Sequence, residues 1–573
     1  MVVETDSFKK ISAQAQEKWN HLNQGELPWI RIGTALCGEA AGSKQIYNSI
    51  SNCLEMLGIQ ANVSEVGCIG LCFAEPLLDI QMPGGNRIFY NNVSEDNLKD
   101  IIQSHIIDNQ IPNKHVFLYS GDMELEGVTK LEDHPMKSKE LRISLRNAGN
   151  IDPYDIDQYI SNGGYYALNR ALFELDPEST LNEVKESGLR GRGGAAFATG
   201  VKWSFLASNP AKDKYILCNC EEGDPGAFND KGILESDPHT VVEGIALAGY
   251  ATNSNRGYIF IRHGHDGPIE RAKTAVKQAY EKGLLGTNIL GTDFSFDLEI
   301  ALTGDSYVAG EETALMEAIE GKRAMPRYRP PFPAQVGVFG KPTNINNVKT
   351  LSYVPEIVRK GGQWFSEIGY EQSKGTAILC LSGSLNRTGM IEVPMGLNLK
   401  DILFDLAGGI PEGRNLKLVQ TGGPLGGVLN ADNIDLILDY ESFRNAGAIL
   451  GSGGIIAADE RTCIVDLTRS LIAFCQYESC GKCFPCRMGM SHLLEVLERI
   501  CDLEGTEEDL DLMRSIGENM QAGSLCGHGQ LGFNPVASAI KYFSEEFNQH
   551  IIGHTCLTKV CNKKRFSPKR TRR

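Results

Sequence analysis

The densest chemistry in the chain lies in Glu478-Ser479-Cys480-Gly481-Lys482-Cys483-Phe484-Pro485-Cys486-Arg487, where three cysteines are spaced C-x2-C-x2-C on one short turn. A fourth, Cys526, follows in Ser524-Leu525-Cys526-Gly527-His528-Gly529. Three thiolates from one loop and one from a distant loop are the ligand set of a [4Fe–4S] cluster. A zinc knuckle would pair its ligands as two C-x2-C units instead. Lys482 and Arg487 offset the negative charge such a cluster carries. One-electron transfer is the first chemistry these residues offer.

Three further constellations stand out. Gly191-Arg192-Gly193-Gly194, followed by Lys202, is a glycine-rich loop with positive charge. Its backbone N–H groups could approach a phosphate closely. It matches neither a G-x-G-x-x-G fingerprint nor a Walker loop, and alone it could be a simple turn. Two segments reinforce it: Cys218-Asn219-Cys220-Glu221-Glu222-Gly223-Asp224 after an apolar strand, and Tyr307-Val308-Ala309-Gly310-Glu311-Glu312 with paired carboxylates at a turn into a helix.

Cys37 with Cys68 and Cys72 forms the second constellation. Its spacing resembles that of a thioredoxin-like [2Fe–2S] domain, C-x4-C in an early loop and C-x3-C in a later one, with three of the four ligands present because position 42 is glycine. A [2Fe–2S] cluster here would be absent or completed by a ligand other than cysteine. Cys53 sits at helical spacing and reads as core.

Near the C-terminus, His550, His554, Cys556 and Cys561 have the density that suits tetrahedral zinc, with Cys463 as a further ligand. The favoured zinc set is Cys463, His550, Cys556 and Cys561, with His554 as substitute. Free thiols are the alternative.

These sites need elements to hold them. The chain has 573 residues, enough for several domains. A hydrophobic share of 42% and a charged share of 22% describe an ordinary globular protein. A net charge of −16 argues against nucleic acid or anionic membrane as general partners. No apolar run approaches the roughly 20 residues of a membrane span, and the first residues lack a secretion pattern. The expected location is cytoplasmic, with no direct membrane contact. Sixteen cysteines clustered at short gaps then suggest metals rather than disulfides. Isolated Cys380, Cys475 and Cys501 read as buried small hydrophobes.

The expected fold is α/β multidomain. Residues 1–28 hold an N-terminal helix near 8–23. Residues 29–118 alternate strand and helix as a small α/β domain, with strands at 30–35, 63–66 and 77–80 and a helix over 43–57. Residues 119–150 are charged and aperiodic, a linker that wraps the next domain. Residues 151–350 carry buried strands at 215–219 and 257–262 around a helix at 240–251, a parallel Rossmann-related sheet. Residues 351–440 hold short strands and glycine turns, a β-grasp-like domain. Residues 441–549 are a helical bundle around the cluster loops. Residues 550–573 combine the zinc candidates with a tail that has seven Lys or Arg in its last eleven positions; such a run is a solvated end or docks on an acidic partner.

Taken together, the segments 187–205 (SGLRGRGGAAFATGVKWSF), 218–230 (CNCEEGDPGAFND), 307–334 (YVAGEETALMEAIEGKRAMPRYRPPFPA), 342–351 (PTNINNVKTL), 478–487 (ESCGKCFPCR) and 524–529 (SLCGHG) resemble the FMN-binding, NADH-oxidising flavoprotein subunits of respiratory complex I. They run in that family's order over roughly 160–545. The fused N-terminal domain is similar to the β subunits of soluble NAD-dependent hydrogenases, formate dehydrogenases and bifurcating transhydrogenases.

The resemblance implies an N-terminal thioredoxin-like domain, an FMN domain, an SLBB domain of β-grasp type and a [4Fe–4S] bundle. It implies that Gly191, Arg192, Gly193, Gly194 and Lys202 hold the FMN phosphate and ring, with Asn219, Glu221, Glu222, Tyr307, Gly310, Glu311, Glu312, Asn346 and Asn347 around them. Phe197, Phe205 and Phe332 would stack on NADH. Glu222, Asp224 and Glu312 would touch the nicotinamide nucleotide, and Arg329 would meet its phosphates. Asp224 stands where complex I relatives carry glutamate; a carboxylate there repels a 2′-phosphate and favours NAD over NADP. No residue need act as a strong acid or base, because hydride transfer is the flavin's chemistry.

Implied partners are a small thioredoxin-like [2Fe–2S] subunit and a larger iron–sulfur or catalytic subunit of a complex in which bifurcation is conceivable. The rival readings are a complex I NADH-dehydrogenase module and a structural paralogue without flavin. The intact glycine loop, Lys202 and paired glutamates argue against the paralogue.

Overall fold

The computed structural model describes residues 6–562; the basic tail lies outside them. The chain opens with the helix Asp6–Gln24, whose Phe8 and Ala15 are fully buried.

The first sheet contains β1 (Trp29–Gly33), β2 (Asn62–Val66), β3 (Leu78–Gln81), β4 (Arg87–Tyr90), β5 (Val116–Ser120) and β6 (Thr129–Lys130). Its spatial order is β2-β1-β3-β4-β5-β6. The helix Ser43–Leu57 buries Ile46, Ile50, Cys53 and Leu54, an i, i+4, i+7, i+8 stripe, against the sheet's Ile30, Ile32 and Ile80. Cys53 is core, as its spacing implied.

The sheet runs past residue 118. β6 pairs with β5, so the start of the expected linker is strand. The rest, over 131–150, is anchored rather than free: Leu141 N–H donates to the Glu392 carbonyl at 3.0 Å, and Ser144 and Leu145 N–H donate to the Glu392 carboxylate at 3.1 and 2.8 Å.

β7 (Tyr215–Cys220), β8 (Arg256–Arg262), β9 (Asp297–Thr303) and β10 (Thr343–Asn347) form a wholly parallel sheet in the order β10-β7-β8-β9. The near-continuous burial of β7 is what a parallel strand covered on both faces requires. The crossover helix Pro238–Thr252 starts where Asp237 accepts from Thr240 N–H and Pro238 occupies the first turn. The helix Val348–Lys360 packs its Leu351, Val354, Ile357 and Val358 into this same core. An apolar stripe that faces the parallel sheet therefore carries the unit beyond residue 350.

A short ribbon, β11 (Gly369–Tyr370) and β12 (Ser373–Lys374), leads into β13 (Thr376–Gly383), β14 (Gly389–Pro394), β15 (Leu416–Thr421), β16 (Val428–Asn430) and β17 (Gly454–Asp459). The order β14-β13-β17-β15-β16 puts β17 at the centre, parallel to β13 and antiparallel to β15. The boundary expected at 440 had left this strand in the helical segment. Its pairing is long-range and leaves no local periodic signal.

Helices Ile464–Tyr477, Phe484–Cys501, Glu508–Gly523 and Asn534–Ile551 share a core that includes Ile472, Leu493, Leu497, Met513 and Phe547. Cys380, Cys475 and Cys501 are fully buried.

Candidate functional site

Chain order turns back between β7 and β10: from β7 the chain goes one way to β8 and β9, and returns to β7's other side as β10. Ligands of open parallel sheets bind outside the carboxyl ends of the strands at such a switch point. Asn219 ends near the tip of β7, and Asn346 and Asn347 end β10 in register beside Cys218 and Asn219. Glu221 and Glu222 follow directly. These two predicted segments thus meet at one edge.

The glycine loop closes over that edge. Gly191 N–H donates to the Phe197 carbonyl at 2.8 Å, and Arg190 bridges Ala198. A Cβ on Gly193 would lie 3.0 Å from the Asn347 Cβ, and Gly194 has φ +122°. Both positions need glycine, one for close approach and one for backbone shape. The helix Thr199–Ala207 then places Lys202 and Phe205 one turn apart.

Lys202 Nζ donates to Glu312 Oε2 at 3.1 Å and to the Ile345 carbonyl at 2.7 Å. Arg329 holds the other Glu312 oxygen at 2.8 Å. The two cations hold the Glu312 carboxyl below its usual range against the opposing effect of burial. Asn219 Nδ2 donates to the Gly310 carbonyl at 2.8 Å, and a Cβ on Gly310 would come within 2.8 Å of Glu221 Oε2. Phe197, Phe205 and Phe332 are 51, 55 and 54% exposed.

Several predicted residues have structural partners instead. The Arg192 guanidinium is buried, donating to the carbonyls of Lys374 at 2.6 Å and Thr376 at 3.0 Å and to Tyr440 Oη at 3.0 Å. It ties the loop to the β13 region, so only its backbone is at the loop. Glu222 accepts from Asp230 and Lys231 N–H at 2.9 Å each, capping the helix Asn229–Ser236. Glu311 accepts from Thr313 and Ala314 N–H at 2.9 Å each. The Asn346 amide is engaged by Trp203 and Asn344. Asp224 accepts from Ser452 Oγ at 2.9 Å.

Sequence reasoning missed Arg262, Asp230 and Lys349. Arg262 pairs with Glu221 at 3.0 Å, and burial pushes the Glu221 carboxyl up to about 8 despite that pair. Asp230 accepts from Asn347 at the β10 tip and pairs with buried Lys349 at 2.9 Å. A charge at the carboxyl end of a buried strand, as Arg262 is after Gly257–Ile261, was the available signal.

The cysteine loop opens beside this edge. One cavity is lined by Cys480, Cys483, Cys486 and Cys526 together with Val308, Pro326, Ser479, Lys482, Leu525 and His528. Cys483 and Cys526 sit at helix N-caps. Burial pushes the Cys486 thiol up to about 12 and that of Cys526 to about 11. A metal must displace those protons to bind. Lys482 donates to the Pro326 carbonyl at 2.6 Å on the cavity wall, and Arg487 to the Gly481 carbonyl at 2.7 Å. The donor set and its cavity fit a [4Fe–4S] cube.

Val308 belongs to the same turn, Tyr307–Gly310, whose Gly310 lies against Glu221. Tyr307 N–H donates to Glu478 Oε2 at 2.9 Å, and its ring lies 5.7 Å from the His528 ring. One turn therefore lines both the sheet-edge cleft and the cysteine cavity.

The C-terminal donors also converge. One ligand atom from each of Cys463, His550, Cys556 and Cys561 lies within 4.8 Å of the others. His550 Nε2 is 3.4 Å from Cys463 Sγ, while its Nδ1 is 2.8 Å from the Glu546 carbonyl. A ring nitrogen anchored on a carbonyl orients the other toward a metal. His554 is not in this group; its Nδ1 contacts the Leu503 carbonyl at 3.0 Å. At the N-terminal sheet, Cys37, Cys68 and Cys72 lie within 4.8 Å of one another. Gly42, where a fourth cysteine would stand, has φ +103°.

Comparison with known proteins places the chain. The model of the Nuo51 FMN-binding domain matches residues 184–356, and that of the NADH-ubiquinone oxidoreductase-F iron-sulfur binding region matches 466–550. The HndC component of the NADP-reducing hydrogenase of Solidesulfovibrio fructosivorans is 46% identical over 425 residues, covering 74% of this chain and 86% of the relative. The second F-type component of the NADH-quinone oxidoreductase of Rhizobium meliloti is 42% identical over 414 residues, covering 72% and 98%. The chain belongs to the family of NADH-quinone oxidoreductase F-type subunits. A solved NAD+-reducing [NiFe]-hydrogenase in its H2-reduced state aligns over 95% of this chain and 87% of its own, with TM-score 0.64 and 26% identity. As in this family, an FMN-binding domain and a [4Fe–4S] region share one polypeptide, and the chain is part of an NAD(P)-dependent oxidoreductase. No helix among the described residues is long and apolar enough to cross a membrane.

Proposed function

We propose that this subunit takes hydride from NADH at the β7/β10 edge and delivers electrons singly, through the Cys480–Cys526 cavity, to partner subunits of a hydrogenase-like complex. When bound, FMN supplies the exchange between a two-electron hydride donor and a one-electron cluster. The residues do the positioning. Gly193 and Gly194 let backbone approach the phosphate, and Lys202 brings positive charge. Phe197, Phe205 and Phe332 offer faces on which the nucleotide stacks, which orients the nicotinamide and excludes water. Glu312, held by Lys202 and Arg329, presents a fixed carboxylate to the nucleotide.

The observation that carries the reading is the shared turn Tyr307–Gly310. It touches Glu221 on one side and the cysteine cavity on the other, which leaves a short path between the two sites. The C-terminal set Cys463, His550, Cys556 and Cys561 would hold a structural zinc. The partners are a small [2Fe–2S] thioredoxin-like subunit and a larger iron–sulfur or catalytic subunit. The alignment with the solved hydrogenase over 95% of this chain, which reaches into the N-terminal sheet, supports a hydrogenase-like assembly away from the membrane. Whether that complex bifurcates electrons rests on its other subunits.

The test is anaerobic NADH addition to the purified chain. The flavin band should bleach and a paramagnetic reduced cluster should appear. In Cys486→Ser the bleaching should persist while the cluster signal and about four irons are lost. Flavin that is bound yet fails to bleach overturns the reading.

A further inference from the structure

A buried ion pair, Asp230 with Lys349, stands directly behind the tip of β10. The Lys349 ammonium is 2.9 Å from Asp230 Oδ1 and donates to Asn229 Oδ1 at 2.7 Å. The other Asp230 oxygen, Oδ2, accepts from Asn347 Nδ2. Asn347 Oδ1 in turn accepts from Lys349 N–H at 3.0 Å, which caps the helix Val348–Lys360. Donor and acceptor of the Asn347 amide are thus each matched, and the network admits one orientation of that side chain.

The framework around the pair is equally tied. Asp230 N–H donates to Glu222 Oε1 at 2.9 Å. Asn229 Nδ2 donates to the carbonyls of Ser452 at 2.7 Å and Ile378 at 3.1 Å. The first turn of the helix Val348–Lys360 then carries the glycine loop: Arg192 N–H donates to Thr350 Oγ1 at 2.9 Å, and Gly193 packs against the Asn347 Cβ. A buried ion pair is weak evidence for stability, because apolar side chains of similar volume often do as well. What the charges offer here is direction. Each Asp230 oxygen faces a donor, so an asparagine in its place would turn an NH2 group toward one of them. An apolar residue would leave the Asn347 amide without its acceptor.

We infer that Asp230 and Lys349 are positioning residues of the flavin site: Lys349 orients the Asp230 carboxylate, Asp230 orients the Asn347 amide, and the glycine loop is seated on that side chain. The inference rests on the reading that FMN occupies the β7/β10 edge. It has a second, electrostatic consequence. The two charges are buried behind the cleft wall, where water screens them little. There a cation favours the more negative, reduced flavin and an anion disfavours it.

The test compares the full chain with Lys349→Met and with Asp230→Asn. Deflavinated protein is titrated with FMN by fluorescence, and the midpoint potential of the reconstituted flavin is read by spectroelectrochemistry. Each variant should weaken FMN binding by about tenfold or more, the scale of one lost charged hydrogen bond. The midpoint should fall in Lys349→Met and rise in Asp230→Asn, an opposition that a general loosening of the fold does not produce. Parent-like affinity in either variant, or midpoints that stay put or move the same way, overturns the assignment, while FMN binding by the parent leaves the broader reading standing. A parent that binds no FMN overturns both. Should a single variant fail to fold, Asp230→Asn combined with Lys349→Met leaves no unpaired buried charge. That double variant should bind FMN about tenfold more weakly than the parent, and parent-like affinity in it overturns the assignment.

Discussion

Arg192 and Lys202 look alike as phosphate-binding candidates, yet the structure gives them different work. Substituting each with methionine should separate them. Lys202 is on the open side of the helix Thr199–Ala207, a third exposed, with its ammonium between Glu312 and the Ile345 carbonyl. Losing one charge-assisted contact to an anionic ligand costs about 1.5–3 kcal/mol, so Lys202→Met should weaken FMN binding by about 10- to 150-fold. Its folded contacts are few and partly solvated, so thermal stability should change little.

Arg192→Met should do the opposite. It strips buried acceptors of their donor at Lys374, Thr376 and Tyr440. At about 1–3 kcal/mol for each of these three groups left without a partner, the loss is on the order of 3–9 kcal/mol. That lowers the unfolding midpoint by on the order of 10 °C. FMN affinity, read on protein folded well below that midpoint, should fall less than in Lys202→Met. The assay is fluorescence titration of deflavinated protein with FMN, paired with thermal unfolding at saturating FMN. If Arg192→Met loses affinity as much as Lys202→Met while its midpoint is unchanged, the guanidinium is a ligand contact and the reasoning fails.

Two further outcomes follow from the same geometry. Burial raises the Glu221 carboxyl from 4.5 to about 8 in the folded flavin-free chain; the folded state then binds the extra proton, so this group's contribution to stability is greatest below pH 4.5 and is lost as pH rises toward 8. The difference in urea-unfolding stability between the flavin-free parent and Glu221→Gln should change by that decline between pH 4.5 and 8, whereas parallel pH profiles would refute the raised carboxyl. At the C-terminal set, Cys561→Ser should remove one zinc per chain and expose the helix Asn534–Ile551 to hydrogen exchange, because Cys463 and Cys561, 3.7 Å apart, would no longer be joined through an ion. Unchanged zinc in that variant would remove the site.

The chemistry written into short spans was legible without coordinates. The C-x2-C-x2-C turn puts three thiols in one place by chain connectivity alone. The stripe over residues 43–57 and the apolar run at 215–219 give helix and strand by period and burial. What the chain could not disclose locally is which distant group each side chain meets. Arg192 finds its carbonyl partners some 182 and 184 residues away. β17 enters the centre of a sheet whose other strands lie before residue 431. Glu75 reaches Cys37 only because the fold of the first sheet turns it back on that loop. Local spacing is fixed by covalent geometry, whereas these meetings depend on packing that buries whole faces at once, and no window of sequence contains both partners.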